Sequence, residues 1–248
     1  MIDIHTHIVP GLDDGSQDME TSVMMAEMAA RSGVSALIAT PHCNQMMFPN
    51  FLSDSLIRRM EGFREEVIRE NIELDLAFGM EIFCTKEVPR LLKEKKLLSL
   101  NGGRYVLVEF NFGTDVEPME DMLYSIMDAG YVPIIAHPER YRELQGQFEI
   151  VSDWMDEGMG IQINKGSLFG HFGRAAGEFA YAMLRHGLCS CVASDAHGAD
   201  ARTTDMTEIY NFLAAEFSEA EAERLLTENP MRIFNNKPLL GVNNIQPF

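Results

Sequence analysis

The sequence predicts an α/β fold in which parallel strands alternate with helices and curl into a barrel. Two observations carry this expectation. Seven short apolar stretches are each followed by a helix-like stretch, the pattern of a parallel sheet covered by crossover helices. Polar residues able to bind metal then follow six of the seven strands, at the edge where β/α barrels carry their active sites. The pairs His5-Thr6-His7 and Asp195-Ala196-His197 sit at opposite ends of the chain. They can meet only if the chain folds back on itself, as a barrel does.

Taken in order, Met1–Ile4 reads as the first strand and delivers His5 and His7, with a helix over 19–32 closed by Gly33. Val34–Ala39 leads into Thr40-Pro41-His42 and a helix over 52–70. Leu74–Phe78 precedes Glu81, with a helix over 86–97. Tyr105–Phe110 carries Glu109 at its end and is followed by a helix over 117–129, which stops at Gly130. Val132–Ala136 leads into His137 and a helix over 147–158, ended by Gly158. Gly160–Ile163 is the one strand with no ligand after it, and a helix over 174–187 follows. Leu188–Ala193 leads into Asp195 and His197, before helices over 204–216 and 219–227.

No Ser/Gly linker, low-complexity segment or composition break divides the chain, so residues 1–248 are expected to form one domain. The 20 Lys and Arg against 38 Asp and Glu leave a formal charge of −18 with no basic run, which argues against nucleic acid as a partner. The N-terminus lacks the basic stretch and apolar core of a secretory signal. No apolar run approaches the roughly 20 residues of a membrane span, so direct membrane insertion is not expected. Cys43, Cys84, Cys189 and Cys191 form no evident disulfide framework, and a reduced, cytoplasmic setting is the simplest reading.

Residues i and i+2 of a strand project to one side, so His5/His7 and Asp195/His197 can each offer two ligands to one cavity. Asp14, in the loop Gly11-Leu12-Asp13-Asp14-Gly15, adds a carboxylate, although adjacent aspartates in loops also serve as turn formers and caps. The opening Met1-Ile2-Asp3-Ile4-His5-Thr6-His7, Asp13-Asp14-Gly15, Thr40-Pro41-His42, His137-Pro138-Glu139-Arg140-Tyr141 and Ser194-Asp195-Ala196-His197 together resemble the polymerase-and-histidinol-phosphatase superfamily. More narrowly, they resemble the bacterial manganese-dependent protein tyrosine phosphatases of capsule and exopolysaccharide loci. The resemblance runs over essentially the whole chain.

That resemblance implies a distorted (β/α)7 TIM-like barrel with three divalent metal ions. The first would be held by His5, His7, Glu81 and Asp195, the second by Glu81 as a bridge with Glu109 and His137. The third would take Asp14, His42 and His197. Four carboxylates and no thiolate among nine ligands favour Mn²⁺ first, with Fe²⁺ or Zn²⁺ as alternatives. The implied reaction is hydrolysis of phosphotyrosine by a metal-activated hydroxide. Arg140 and Arg202 would clamp the phosphate oxygens, for which guanidinium geometry is suited. The implied partner is a tyrosine-phosphorylated protein, a bacterial tyrosine kinase of a polysaccharide export system.

A thiolate mechanism has one formal match, Cys84-Thr-Lys-Glu-Val-Pro-Arg90, but it has no glycine and includes a proline without an N–H. It is unsuited to cradling phosphate. The apolar stretch Met46-Met47-Phe48-Pro49-Asn50-Phe51 after His42 reads either as packing onto the barrel or as a lip for an aromatic substrate ring. His171 lies in a glycine-rich loop that could touch substrate, and His186 reads as a helix-end residue. The rival functions are a small-molecule phosphomonoesterase with a histidinol-phosphate-like substrate and a metal-binding regulatory module without turnover.

Overall fold

The computed structural model describes residues 1–241; the end of the expected domain, 242–248, lies outside the described residues. Every strand pairing is parallel. Strands β1 (Ile2–Thr6), β2 (Ala36–Ala39) and β4 (Asp75–Phe78) form one sheet in the order β1-β2-β4. The second sheet runs β3-β5-β6-β7-β8-β9, from β3 (His42–Cys43) and β5 (Glu81–Phe83) through β6 (Tyr105–Glu109), β7 (Val132–Ala136) and β8 (Gly160–Asn164) to β9 (Cys191–Ala193). Strands β1, β2, β6, β8 and β9 are buried at every position. Of these, β2, β6 and β9 read as near-continuous apolar runs, as strands covered on both faces do, whereas β1 and β8 alternate apolar with polar residues.

All seven expected strands are present, and two further short strands that were not expected, β3 and β5, follow the second and third of them. Only Thr40-Pro41 separates β2 from β3, and only Gly79-Met80 separates β4 from β5. Proline cannot donate to a ladder. At Gly79 the neighbouring chain comes so close that a Cβ would sit 2.7 Å from Leu100 Cδ2. Each break turns the chain just before a polar side chain, His42 or Glu81. Beyond β9, an isolated parallel bridge joins Thr6 to Ala196. There Asp195 N donates to His5 O and His7 N donates to Ala196 O, each at 2.9 Å.

The helices lie close to their expected spans: α1 (Met19–Arg31), α2 (Asp54–Arg69), α3 (Val88–Lys93), α4 (Val116–Asp128) and α5 (Phe148–Asp156). They continue with α6 (Lys165–Leu168), α7 (Arg174–Arg185), α8 (Thr207–Glu216), α9 (Glu219–Glu223) and α10 (Asn229–Phe234). Asp18 caps α1 by accepting from Thr21 N, and Ser53 caps α2 by accepting from Leu56 N. In α2, Leu56, Met60, Phe63 and Val67 form the buried stripe. Two of the helices were not expected. The short α6 follows β8 directly, and α10 continues from a π-turn over Arg224–Glu228. Pro230 lies in the first turn of α10, where its missing N–H does little harm. Among the described residues no helix is long and apolar enough to cross a membrane.

Candidate metal centre

The end of β1 places His5 and His7 two residues apart and fully buried, with their Nε2 atoms 3.2 Å from each other. Each ring is held from behind. Gln162 Oε1 lies 2.8 Å from His5 Nδ1, and Asp13 Oδ2 lies 2.8 Å from His7 Nδ1. In the tautomer these acceptors select, both Nδ1–H groups donate outward and both Nε2 lone pairs face one point. Asp13 also accepts from His42 N at 2.8 Å and, through Oδ1, from Gly15 N at 2.9 Å. Gly15 is required by contact, because a Cβ there would stand 2.2 Å from the carbonyl oxygen of His7.

Glu81, at the start of β5, is fully buried at the centre of the cluster. Its Oε2 lies 3.2 Å from His5 Nε2, 3.2 Å from His7 Nε2 and 3.0 Å from His42 Nδ1. Yet this oxygen has no hydrogen-bond partner among the described residues. Its Oε1 lies 2.9 Å from His137 Nε2. Glu109, ending β6, approaches His42 Nδ1 at 3.0 Å and accepts from Gln45 Nε2. Asp14 Oδ1 lies 3.6 Å from His42 Nε2 and 3.5 Å from His197 Nε2.

Asp195 closes the cluster from the β9 side. Its Oδ1 faces His5, His7 and His197 at 3.4–3.5 Å, and its Oδ2 is taken by Asn164 Nδ2 and Arg202 NH2, each at 2.6 Å. A directed chain therefore links two cluster members through β8: His5 Nδ1 to Gln162, Gln162 Nε2 to Asn164 Oδ1 at 2.8 Å, and Asn164 Nδ2 to Asp195. His137, Asp195 and Arg202 all hold left-handed backbone, with φ of 36°, 48° and 48°. For residues with a Cβ this costs roughly 1–2 kcal/mol each, a cost that such conformations repay where a side chain must be aimed.

All nine expected ligands thus converge on one site. They fall into four groups whose candidate donor atoms lie within 4.8 Å of one another: His5, His7 and Glu81; His5, His137 and Asp195; His42, Glu81 and Glu109; and His7, Asp14, His42 and His197. A buried carboxylate oxygen facing three imidazole nitrogens without a hydrogen bond fits a bridging metal ligand. The all-N/O donor set fits a borderline or hard divalent cation. The electrostatics are tightly balanced. Burial resists charge on His42, but Glu81 and Glu109 push its pKa up to about 10. Burial likewise works against ionised Asp195, and His5, His7 and Arg202 nevertheless hold its carboxyl well below the usual range. Protons and cations therefore compete for the same nitrogens.

The two expected arginines border this cluster. Arg202 grips Asp195, and Arg140 NH1 lies 3.6 Å from Asp195 Oδ2. The Arg140 guanidinium is sandwiched between the rings of Phe112 at 4.4 Å and Phe172 at 4.3 Å, and Arg202 lies 5.3 Å from Phe172. Asp13, Gln162, Asn164 and the two phenylalanines escaped the sequence reading. A signal for β8 existed, since Gln162 and Asn164 alternate in a strand that is otherwise apolar. The strand without a ligand supplies the residues that orient ligands.

All four cysteines are free and buried, and burial pushes the Cys84 thiol up to about 12. Arg90 points to solvent between Glu87 and Glu94, so no phosphate cradle forms there. Phe48 stacks on His42 with ring centroids 5.7 Å apart, while Met46 and Met47 are exposed beside it. His171 lines a cavity that includes Phe172 and Arg202, and His186 ends α7 against Phe148.

Residues 1–235 match the family described as capsular polysaccharide synthesis, CpsB/CapC. The chain is 36% identical over 240 residues to the tyrosine-protein phosphatase YwqE of Bacillus subtilis, covering 96% of this chain and 93% of that protein. It is 32% identical over 238 residues to the tyrosine-protein phosphatase CpsB of Streptococcus pneumoniae, covering 94% and 98%. A chain from the crystal structures of YwqE and CpsB, described as unique metal-dependent tyrosine phosphatases, superposes with a TM-score of 0.89 at 34% identity over the full length of both. The phosphotriesterase homology protein of Escherichia coli, at 15% identity and a TM-score of 0.61, shares the fold. This chain belongs to the CpsB/CapC family.

Proposed function

We propose that this protein is a metal-dependent tyrosine phosphatase that hydrolyses phosphotyrosine in a protein substrate of capsule or exopolysaccharide synthesis. The observation that carries the reading is Glu81 Oε2, buried among three imidazole nitrogens and bonded to none of them. His5, His7, Glu81 and Asp195 would hold a first cation, Glu81, Glu109 and His137 a second, and Asp14, His42 and His197 a third. Mn²⁺ is the preferred ion, with Fe²⁺ or Zn²⁺ as alternatives. Such cations supply a water made acidic enough to serve as nucleophile near neutral pH and offset the charge of the phosphate.

The chain's own residues do the rest. Arg140 and Arg202 bind the non-bridging phosphate oxygens, and contact with the rings of Phe112 and Phe172 holds the plane of the Arg140 guanidinium in position. Asp13, Gln162 and Asn164 hold ligand rings and carboxylates in place, so the site needs little rearrangement during the reaction. Phe48 and the exposed methionines beside it offer an apolar edge to the tyrosyl ring. A phenol leaving group, with a pKa of about 10, departs with less proton assistance than an alkoxide.

We read the two sheets as one distorted (β/α)7 barrel. In this reading β2 with β3, and β4 with β5, are broken halves of single strands, and the Thr6–Ala196 bridge seals the seam. The whole chain then serves as one domain. Four free cysteines support a reducing, cytoplasmic setting. A tyrosine kinase of a polysaccharide export system is the partner this assignment implies.

The test is turnover of phosphotyrosyl peptide and histidinol phosphate by purified protein before chelation, after it and after Mn²⁺ is restored. Chelation should abolish peptide hydrolysis and Mn²⁺ should recover it, with the peptide preferred and Cys84→Ser nearly as active as the parent. Full activity in a demonstrably metal-free sample would overturn the assignment.

A further inference from the structure

Beside the metal centre a second cleft of about 390 Å³ opens, lined by Arg140, Arg142, Arg174, Phe112, Phe172 and Gln145 among others. Among the described residues no acidic side chain lines it. On a chain of net charge −18, three guanidinium groups around one small cleft mark a local reversal of the field. Arg140 belongs to both spaces: it faces Asp195 on one side and, held between Phe112 and Phe172, walls the cleft on the other.

The other two arginines are available. Arg142 is exposed, and its side chain makes no hydrogen bond or ion pair among the described residues. Its backbone N donates to Phe112 O at 3.1 Å, which ties its loop to the cleft wall. Among the described residues Arg174 pairs only with Glu178, one turn along α7, and both side chains are exposed. Water and salt already compete for a pair of that kind. The arrangement has the chemistry of a carboxylate receptor, because guanidinium groups bind carboxylate bidentately and the rings of Phe112 and Phe172 fix the plane of Arg140.

We infer that this cleft is a second substrate subsite, which binds the carboxylate of an Asp or Glu lying near the phosphotyrosine in the substrate chain. This deepens the phosphatase reading and rests on it. Phosphotyrosine at the metal centre and an acidic neighbour in the cleft would engage Arg140 from both sides. The enzyme would then select its target partly by flanking charge, a criterion that the metal centre by itself does not impose.

The experiment uses the metal-loaded protein and phosphotyrosyl peptides that differ only by a Glu-for-Gln exchange at successive positions on either side of the phosphotyrosine. At one or two positions Glu should raise kcat/KM roughly tenfold, the worth of one partly exposed charge-assisted bond. The gain should fall on KM more than on kcat, and it should shrink as salt is raised. Combining Arg142→Gln with Arg174→Gln should bring the Glu/Gln ratio close to one, and lysine at both positions should restore part of it. Equal rates on the Glu and Gln peptides, or a preference that survives the double substitution, would overturn the subsite. Failure of the phosphatase reading itself would appear differently, as no turnover of any peptide, and would remove the subsite with it.

Discussion

Replacing Asp13 by Asn isolates what a carboxylate that need not touch metal does for this centre. Asp13 Oδ2 accepts from His7 Nδ1 and from His42 N at 2.8 Å each, and Oδ1 accepts from Gly15 N at 2.9 Å. An asparagine has one carbonyl oxygen for these three donors. Turned to keep His7 and His42, it sets its NH2 against the Gly15 amide, donor to donor. Turned the other way, it releases the His7 ring, which is then free to exchange tautomers. The first arrangement leaves one buried N–H without an acceptor, at about 1–3 kcal/mol. Both arrangements remove the negative charge that makes His7 a better ligand. Losses in the shell behind a ligand weaken metal binding about 10–100-fold, or roughly 1.4–2.7 kcal/mol. Competition of Mn²⁺ against a chelating dye should therefore show a Kd raised by that factor. The Tm should drop by about 2–4 °C for each kcal/mol of stability lost, and kcat at saturating Mn²⁺ should stay within a few-fold of the parent. An Asp13→Asn protein that binds Mn²⁺ with parental affinity would refute the reasoning.

Three further outcomes are expected. Glu81→Gln removes the shared bridge, so elemental analysis should find more than one metal equivalent lost; unchanged stoichiometry and rate would mean the bridge is assigned wrongly. Arg202→Ala should leave fold and metal content intact, because Asn164 still holds Asp195 Oδ2. It should lower kcat/KM by roughly ten- to a thousandfold, on the order of 1.4–4 kcal/mol, with Arg202→Lys only partly restored; a parental rate on phosphotyrosyl peptide would leave Arg140 as the sole clamp. Gly15→Ala forces a Cβ to within 2.2 Å of the His7 carbonyl, so backbone must shift. Mn²⁺ affinity and Tm should both fall, and a parental melting curve would show that the loop can yield freely.

Much of the architecture could be read directly because short strand-like stretches, apolar throughout in β2, β6 and β9 and alternating in β1 and β8, recur between helices. The i, i+2 spacing of His5 with His7 was legible because strand geometry sends both members of a pair to one side. Asp195 and His197 lie beyond β9, with Asp195 in left-handed backbone, so their convergence comes from the loop and not from the expected strand alternation. The breaks at Thr40-Pro41 and Gly79-Met80 were harder to see. A proline or glycine after a strand reads equally well as its end, and only the pairing of β3 with β5 shows that the chain resumes. Asp13 was hidden by its own versatility. It makes the turn contact to Gly15 N that such aspartates commonly make, and the same side chain also reaches His7 and His42.

What the sequence by itself determined was the inventory and the order: which residues could bind a divalent cation, and the alternation that carries them to the ends of successive strands. These are local properties, encoded in side-chain chemistry and the two-residue period of a strand. Only the tertiary structure decided which atoms meet. It placed Glu81 Oε2 among three imidazoles, ran a hydrogen-bond chain from His5 through Gln162 and Asn164 to Asp195, and stacked Arg140 between Phe112 and Phe172. Each of these depends on distances between residues remote in sequence. Such distances are set by the packing of the whole fold and leave no periodic trace in the chain.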